Sequence, residues 1–401
     1  MRLLQSILPN LNQTKKPQQK FLTHLLGLLL LLPGHATFRN LSRYSSYQEK
    51  TFARWYATDF DFVSLHKAAI TGLIPTANEQ VLGRDAIFVQ KSGKQTYGFD
   101  RFWNGGHSRT EKGLEISALA GLDIPGNCAF CRRVEQTPPA GKGPKQETSR
   151  IDISLDQLTR VVRQQALMPL RYVVTDGYYS KQKFLGGVRV LGLHQIGKLR
   201  ADANLRYLYQ GPRRPGPGRP KTYDGKVLWT NLSRFEALAT EDAHIVLYQQ
   251  VVHHVQCQRN LRVVLVVDTP RHRRAVLFST DVNLDALTLY RYDKARFQIE
   301  FLFRAAKQFA GLLDCQARSQ AKLAFHLTVS LTAVTLAQLE ARQRQGHGEI
   351  PFSMASLKRR AFNQHLLDRI GAHLATGHSL EKSSSDYEAL CNYGVITEVA
   401  A

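Results

Sequence analysis

The stretch LRYVVTDG, residues 170–177, is a short apolar run that ends in an acid and a glycine. Its β-branched and aromatic residues favour an extended chain, because such side chains pack well on a pleated surface. Asp176 and Gly177 are typical of the turn that ends a strand. We therefore predict a buried strand over 170–175 with a carboxylate at its carboxyl end.

The segments before this strand predict the rest of a sheet. Extended runs at 81–90, 114–122 and 127–134 are separated by polar and glycine-rich turns. The stretch 154–168 has the apolar spacing of a helix, with Ser154 as its predicted N-cap. Three antiparallel strands, a helix and a returning strand are the order of an α/β fold, a ribonuclease H-like mixed sheet with flanking helices. In that order Asp85 lies beside Asp176.

Composition narrows the class of partner. The chain has 401 residues, of which 43% are hydrophobic, enough for a large core and two or three domains. Its net charge of +22 favours a polyanion as partner: DNA, RNA or an anionic membrane surface. Five dispersed cysteines indicate reduced thiols in a cytosolic protein. Walker and G-x-S-x-G patterns are absent from the sequence, so it does not support an NTPase or a serine hydrolase.

The N-terminal region is predicted to be helical. The apolar run 21–32 is shorter than the roughly 20 residues of a membrane span, so we interpret it as a core helix, with a signal peptide as the alternative. Helices are predicted at 37–44 and 47–56, the second with a capping box of Ser46 and Glu49. This pair is compatible with a helix-turn-helix that enters DNA and equally with any amphipathic pair.

A third acid lies in the stretch RFQIEFLFRAAKQ, residues 296–308. Apolar residues recur there at helical spacing and place Glu300 at the border of the buried face, with Arg296 one turn before and Lys307 two turns after it. A surface ion pair explains this arrangement. Alternatively, three carboxylates from distant segments can hold two divalent cations around a phosphodiester.

We predict three catalytic residues: Asp85, Asp176 and Glu300. The same carboxylates are predicted to bind two Mg²⁺ ions, for which Mn²⁺ can substitute. Other acids near predicted strand ends are the alternatives: Asp123, Asp268 and Asp281.

At these residues the chain resembles the DDE transposases of bacterial insertion sequences, in the group marked by a Y-x2-R-x3-E-x6-K signature. Arg296, Glu300 and Lys307 fit the last three positions. Tyr292 lies one residue before the expected tyrosine position, which Asp293 holds, and we predict that Asp293 is the N-cap of the helix that carries Glu300. The resemblance extends from about residue 38 to about residue 374.

This resemblance implies a transposase that binds the end repeats of a transposon in double-stranded DNA, cleaves phosphodiester bonds and joins the ends to target DNA. It implies a homodimer assembled on DNA, in the cytoplasm and associated with the nucleoid, with no membrane partner. The alternatives are a ribonuclease H-like nuclease without strand transfer and a non-catalytic helix-turn-helix protein.

The predicted domains follow from the same resemblance. They are a helical DNA-binding domain at 1–75, the first part of the core at 76–200, a β-rich insertion at 201–281, and the completion of the core with C-terminal helices at 282–401. The loop 211–226 is rich in basic residues, and we call it the basic loop. Residues of this loop and of the signature are predicted to contact DNA: Arg213, Arg214, Arg219, Lys221, Tyr292, Arg296 and Lys307.

Overall fold

The computed structural model describes residues 2–11, 14–74, 79–138, 149–165, 170–212, 219–345, 352–375 and 384–391. The strands are β1 Gln80–Gln90, β2 Asp100–Asn104, β3 Arg109–Asp123, β4 Cys128–Gln136, β5 Tyr172–Val174, β6 His194–Leu199, β7 Leu205–Leu208, β8 Tyr223–Lys226, β9 Glu236–Ala239, β10 Ile245–His254, β11 Arg259–Asp268 and β12 Arg273–Ser279. The helices are α1 Arg2–Ile7, α2 Lys16–Leu31, α3 Phe38–Arg43, α4 Glu49–Trp55, α5 Phe62–Leu73, α6 Arg150–Gln165, α7 Gln182–Val190, α8 Ala286–Ala295, α9 Gln298–Phe309, α10 Gln320–Gln345, α11 Met354–Ala375 and α12 Ser385–Cys391.

The first half of the sheet has the predicted strand order. β1 pairs with β3 antiparallel along its whole length, and β2 and β4 pair with the opposite edge of β3. On its other side β1 pairs with β5, and β5 with β6, both parallel. A parallel neighbour requires a crossover connection, which α6 supplies between β4 and β5. The order β4-β3-β1-β5-β6 agrees with a ribonuclease H-like core, so the predicted fold class is confirmed.

The second half of the sheet is the β-rich segment that separates the second acid from the third. β12 pairs antiparallel with β6 and continues the sheet through β11, β10, β7 and β8, with β9 on β10. The strands β7 to β12 all lie within residues 201–281, the range predicted to be a β-rich insertion. The segment therefore extends the sheet of the core through the β6–β12 pair. The domain boundaries remain a prediction.

Two long apolar helices lie inside the protein. The run 21–32 is within or next to α2, and most of its leucines are buried in the main hydrophobic cluster, so its interpretation as a core helix is confirmed. α10 is long and apolar enough to cross a membrane by length and composition. However, 78% of its apolar window is buried within the protein, as in a core helix.

The predicted cap of α6 is wrong. The helix begins at Arg150, so Ser154 lies one turn inside it. The Ser154 hydroxyl donates to the carbonyl of Arg150 at 2.7 Å and accepts from Arg84 at 2.8 Å. The start of the helix is held by Asp152, whose carboxylate accepts the Ser149 amide at 2.8 Å. Ser154 satisfies a buried guanidinium instead of a helix end.

The N-terminal helix pair forms, but its predicted capping box is also wrong. α3 and α4 are present as short helices, and α4 begins at Glu49 with Gln48 as N-cap and without a side-chain cap. The hydroxyl of Ser45, one residue before Ser46, accepts the amide of Tyr47 at 2.8 Å. Ser45, and not Ser46, makes this side-chain bond, because Ser45 lies in the turn before the helix starts.

Candidate active site

Two of the predicted acids lie side by side at one end of the sheet. β1 and β5 are parallel, and Gly83 lies opposite Val174. Asp85 and Asp176 each follow that pair by two residues, so they reach the same level on neighbouring chains. The Asp176 carboxylate accepts the amide of Tyr178 at 3.0 Å and caps the turn that follows β5. Its backbone is thereby held at the end of the strand.

Glu300 is positioned by the packing of α9 on β1. A Cβ atom added to Gly83 would lie 2.7 Å from Cδ1 of Ile299 and 2.8 Å from Leu122, so the glycine permits this close approach. Gly83 and Asp85 are two residues apart and share one face of the sheet. Glu300 follows Ile299 in the first turn of α9. The helix therefore brings its carboxylate to the face that carries Asp85.

Asp176 and Glu300 both lie within electrostatic range of Asp85. Burial raises the pKa of Asp85, the positive charge of Arg296 lowers it, and the charges of Asp176 and Glu300 raise it further. Within the described residues, no three acids, histidines or cysteines are gathered closely enough to hold a metal ion in this arrangement. The three acids are thus neighbours that do not form a metal site in this arrangement.

Arg296 supplies the positive charge at this site. Its Nη1 lies 2.6 Å from Oδ2 of Asp85, and the two side chains are only 13% and 16% exposed. The other oxygen of Asp85 accepts the Ala86 amide at 2.8 Å. Nε of Arg296 is buried and has no hydrogen-bond partner in the described residues. The ligand type is nevertheless suitable, because carboxylate oxygens are the preferred ligands of divalent ions such as Mg²⁺.

Tyr292 lies in the helix that precedes the one with Glu300. Tyr292 and Asp293 both belong to α8, whose N-cap is Asp285, with its carboxylate accepting the Thr288 amide at 2.9 Å. The prediction that Asp293 caps the Glu300 helix is therefore wrong. Asp293 is instead mostly buried, 3.4 Å from Lys198. The helices α8 and α9 are separated by a tight turn at residues 296–297.

The side chain of Tyr292 packs inside the protein. It is 5% exposed, and its hydroxyl donates to Glu79, which Arg291 also contacts at 2.7 Å. Its ring packs near Tyr172, with centroids 5.5 Å apart. A contact between Tyr292 and DNA remains a prediction, and it requires the hydroxyl to leave Glu79.

The other predicted DNA contacts lie in separate places. Lys307 is half-buried and lines a cavity of about 550 Å³ between α2, α9 and α11, and burial lowers its pKa. In the basic loop Arg219 is exposed, and Lys221 pairs with Asp224 at 2.6 Å. Two further predicted contacts lie outside the described residues: Arg213 and Arg214.

The three alternative acids each contact a partner side chain. Asp123 forms a buried ion pair with Arg342. Asp268 lies 3.5 Å from Arg271 in the β11–β12 turn. Asp281 accepts the hydroxyl of Tyr172 at 2.7 Å. Each of the three acids thus has an ion-pair or hydrogen-bond partner within the described part of the chain.

Sequence reasoning missed two features of the site. The first is Gly83, whose position two residues before Asp85 in a predicted strand is a recognised sign of close backbone approach. The second is the pairing of Arg296 with Asp85. No sequence signal joins these two residues, because they lie on a helix end and a strand that meet only in the folded chain.

A comparison with known proteins adds an independent finding. Residues 8–260 match a family model described as DDE superfamily endonuclease. The matched region is more than half of the chain and contains Asp85 and Asp176, whereas Glu300 lies beyond it. No curated protein matches the chain.

Proposed function

The chain belongs to the DDE superfamily endonuclease family, and we propose from this that it is a DNA transposase of the group with the Y-x2-R-x3-E-x6-K signature. It binds transposon end repeats in double-stranded DNA, cleaves them and joins the ends to target DNA. The observation that carries the proposal is the approach of Asp85, Asp176 and Glu300 at one end of a ribonuclease H-like sheet. The net charge of +22 suits a nucleic-acid substrate.

Asp85, Asp176 and Glu300 would hold two Mg²⁺ ions, for which Mn²⁺ can substitute. The bound ions supply activation of the attacking oxygen and stabilisation of the leaving oxygen. The contribution of the protein's own residues is to position the carboxylates. The Tyr178 amide orients Asp176, and the close packing of α9 at Gly83 sets the position of Glu300.

Arg296 has two successive roles in this proposal. Without substrate it neutralises Asp85, and its buried Nε has no partner in the described part of the chain. With substrate it turns to a phosphate near the cleaved bond, since a guanidinium matches two phosphate oxygens. Lys307, about 10 Å from Glu300 along α9, addresses a neighbouring phosphate.

The remaining assignments complete the proposal. Residues 1–75 bind end DNA through α3 and α4, residues 76–200 and 282–401 form the catalytic core, and residues 201–281 are the insertion. The exposed basic loop around Arg219 and Lys221 contacts the DNA backbone. The protein assembles as a homodimer on DNA in the cytoplasm, associated with the nucleoid.

The test is a joining assay with purified protein, Mg²⁺, a supercoiled plasmid and a labelled duplex that carries the inverted repeats flanking the reading frame. We expect labelled ends covalently joined to the plasmid. Cleavage without joining would instead assign a nuclease. Specific binding without either reaction would assign a non-catalytic DNA-binding protein.

A further inference from the structure

A second cationic site lies in a groove between α7 and the turn that joins β10 to β11. The groove has a volume of about 480 Å³. One wall is the face of α7 that carries Gln182 and Arg189, seven residues apart, and the other wall carries His253, Arg259 and Asn260. None of the described side chains that line it is acidic.

The two arginines of the groove repel each other. The pKa of Arg259 is lowered first by burial and then by the positive charge of Arg189, so the two guanidinium groups lie within electrostatic range. In the described part of the chain neither arginine forms an ion pair with a carboxylate. Two like charges without an acid between them are unfavourable unless an anion occupies the space.

Neutral donors surround the same space. The Nδ1 atom of His253 lies 3.0 Å from Oδ1 of Asn260, which leaves the amide NH₂ group of Asn260 as a donor. The amide side chains of Gln182 and Gln258 are exposed at the rim. Guanidinium and amide donors around one groove are the groups that bind phosphate oxygens.

We propose that this groove binds a backbone phosphate of the duplex that flanks the cleaved bond. The inference rests on the proposed function, in which DNA is the substrate, and it adds a contact outside the catalytic end of the sheet. The contact reads no base, because phosphate contacts position a duplex without carrying sequence information.

The register of the sheet gives the distance between the two sites. Val174 lies opposite Ile196, Ile196 opposite Ser279, and Ser279 opposite Arg262, so Arg262 is level with Val174. Asp176 follows Val174 by two residues, whereas Arg259 precedes Arg262 by three on a strand of the same direction. At about 3.3 Å per residue and about 4.8 Å per strand, the Cα atoms of Asp176 and Arg259 are about 20 Å apart. The groove lies on the α7 face of the sheet, opposite the face on which α9 packs, so DNA that reaches both sites must pass around the edge of the sheet.

The experiment is phosphate ethylation interference, with a salt titration of binding, on end DNA whose flank extends beyond the cleaved bond. It compares the wild-type protein with the double variant Arg189→Gln/Arg259→Gln. We expect wild-type interference at a phosphate of the flank, separate from the phosphates at the cut, and its loss in the variant. The slope of log K against log salt should flatten by about one unit, because the two arginines neutralise one phosphate.

Two controls make the result specific. Arg271→Gln removes an exposed charge from another turn of the same sheet and should leave the slope and the pattern unchanged. Arg189→Lys/Arg259→Lys keeps both charges and should restore most of the slope, which separates charge from misfolding. If the double glutamine variant keeps the wild-type salt slope and interference pattern, the proposal that the groove binds a phosphate is wrong. Wild-type protein that fails to bind end DNA overturns the proposed function itself.

Discussion

Replacing Arg296 with methionine should make the protein dependent on divalent cations for its stability. Methionine keeps the apolar stem but removes the positive charge beside Asp85. The carboxylate is then left mostly buried, with the Ala86 amide as its remaining hydrogen bond among the described residues. A divalent ion can occupy the vacated space without first displacing a guanidinium.

The magnitude follows from the burial of the pair. Breaking a fully buried ion pair by removing one partner costs about 3–5 kcal/mol. Because Arg296 and Asp85 keep 13% and 16% exposure, we expect the variant to lose about 2 kcal/mol without metal at pH 7. If Mg²⁺ must break the Arg296–Asp85 pair of the wild-type protein in order to bind, the variant avoids that cost. The variant should then bind Mg²⁺ about 30-fold more tightly than the wild type.

The assay is chemical unfolding of DNA-free protein with and without Mg²⁺. An ion at 100 times its dissociation constant stabilises the folded state by about 2.7 kcal/mol, so added Mg²⁺ should recover the loss in Arg296→Met. Arg291→Met is the matched control, because Arg291 lies in α8, is 54% exposed and pairs with Glu79. It should lose at most about 1 kcal/mol and gain no response to Mg²⁺. Equal responses of the two variants to Mg²⁺ would refute this reasoning.

Three further predictions concern packing, pH and the tyrosine. Gly83→Ala forces α9 away from β1 and should cost about 1–3 kcal/mol, with cleavage reduced more than DNA binding. The control Gly72→Ala, where an added methyl meets nothing within 4 Å, should retain both activities. Burial lowers the pKa of His66 and of His326 to about 4. Between pH 6.5 and 4 the unfolded chain therefore binds protons that the folded protein does not, and stability falls on acidification by up to about 3 kcal/mol for each histidine. Glutamine at both positions should flatten the curve of unfolding free energy against pH, and an unchanged slope would contradict this assignment. Tyr292→Phe removes the bond to Glu79 and should lower stability by about 1 kcal/mol. If the tyrosine also contacts DNA, a time course on labelled ends should show slower later processing than first nicking, whereas wild-type rates at all steps would make it a packing residue.

The adjacency of Asp85 and Asp176 could be predicted from sequence because it depends on local signals. Apolar runs with glycine and polar turns predicted β1, β3, β4 and β5, and the strand order then placed the two acids together. Helical spacing predicted α9 and the border position of Glu300. These features need no knowledge of side-chain contacts between distant segments.

The failed predictions are those in which a distant or neighbouring group competes with a local pattern. Ser154 resembles an N-cap, yet it lies inside α6 and bonds to the buried Arg84 from β1. Asp293 also resembles a cap, but Asp285 starts the helix eight residues earlier and Asp293 is left near Lys198. A sequence pattern cannot rank such competitors, because their partners become neighbours only after folding.

The most direct measurement of the central claim is the cleavage of labelled end DNA in Mg²⁺ by the single variants Asp85→Asn, Asp176→Asn and Glu300→Gln, with DNA binding measured in parallel. Each amide keeps the shape of the acid and removes the charge that a metal ion requires. We predict that all three variants lose cleavage and retain binding to end DNA, while Asp202→Asn, in an exposed surface pair with Arg200, keeps both. Wild-type cleavage by any one of the three variants would remove that acid from the site. Loss of binding together with cleavage in all three would contradict a shared catalytic role.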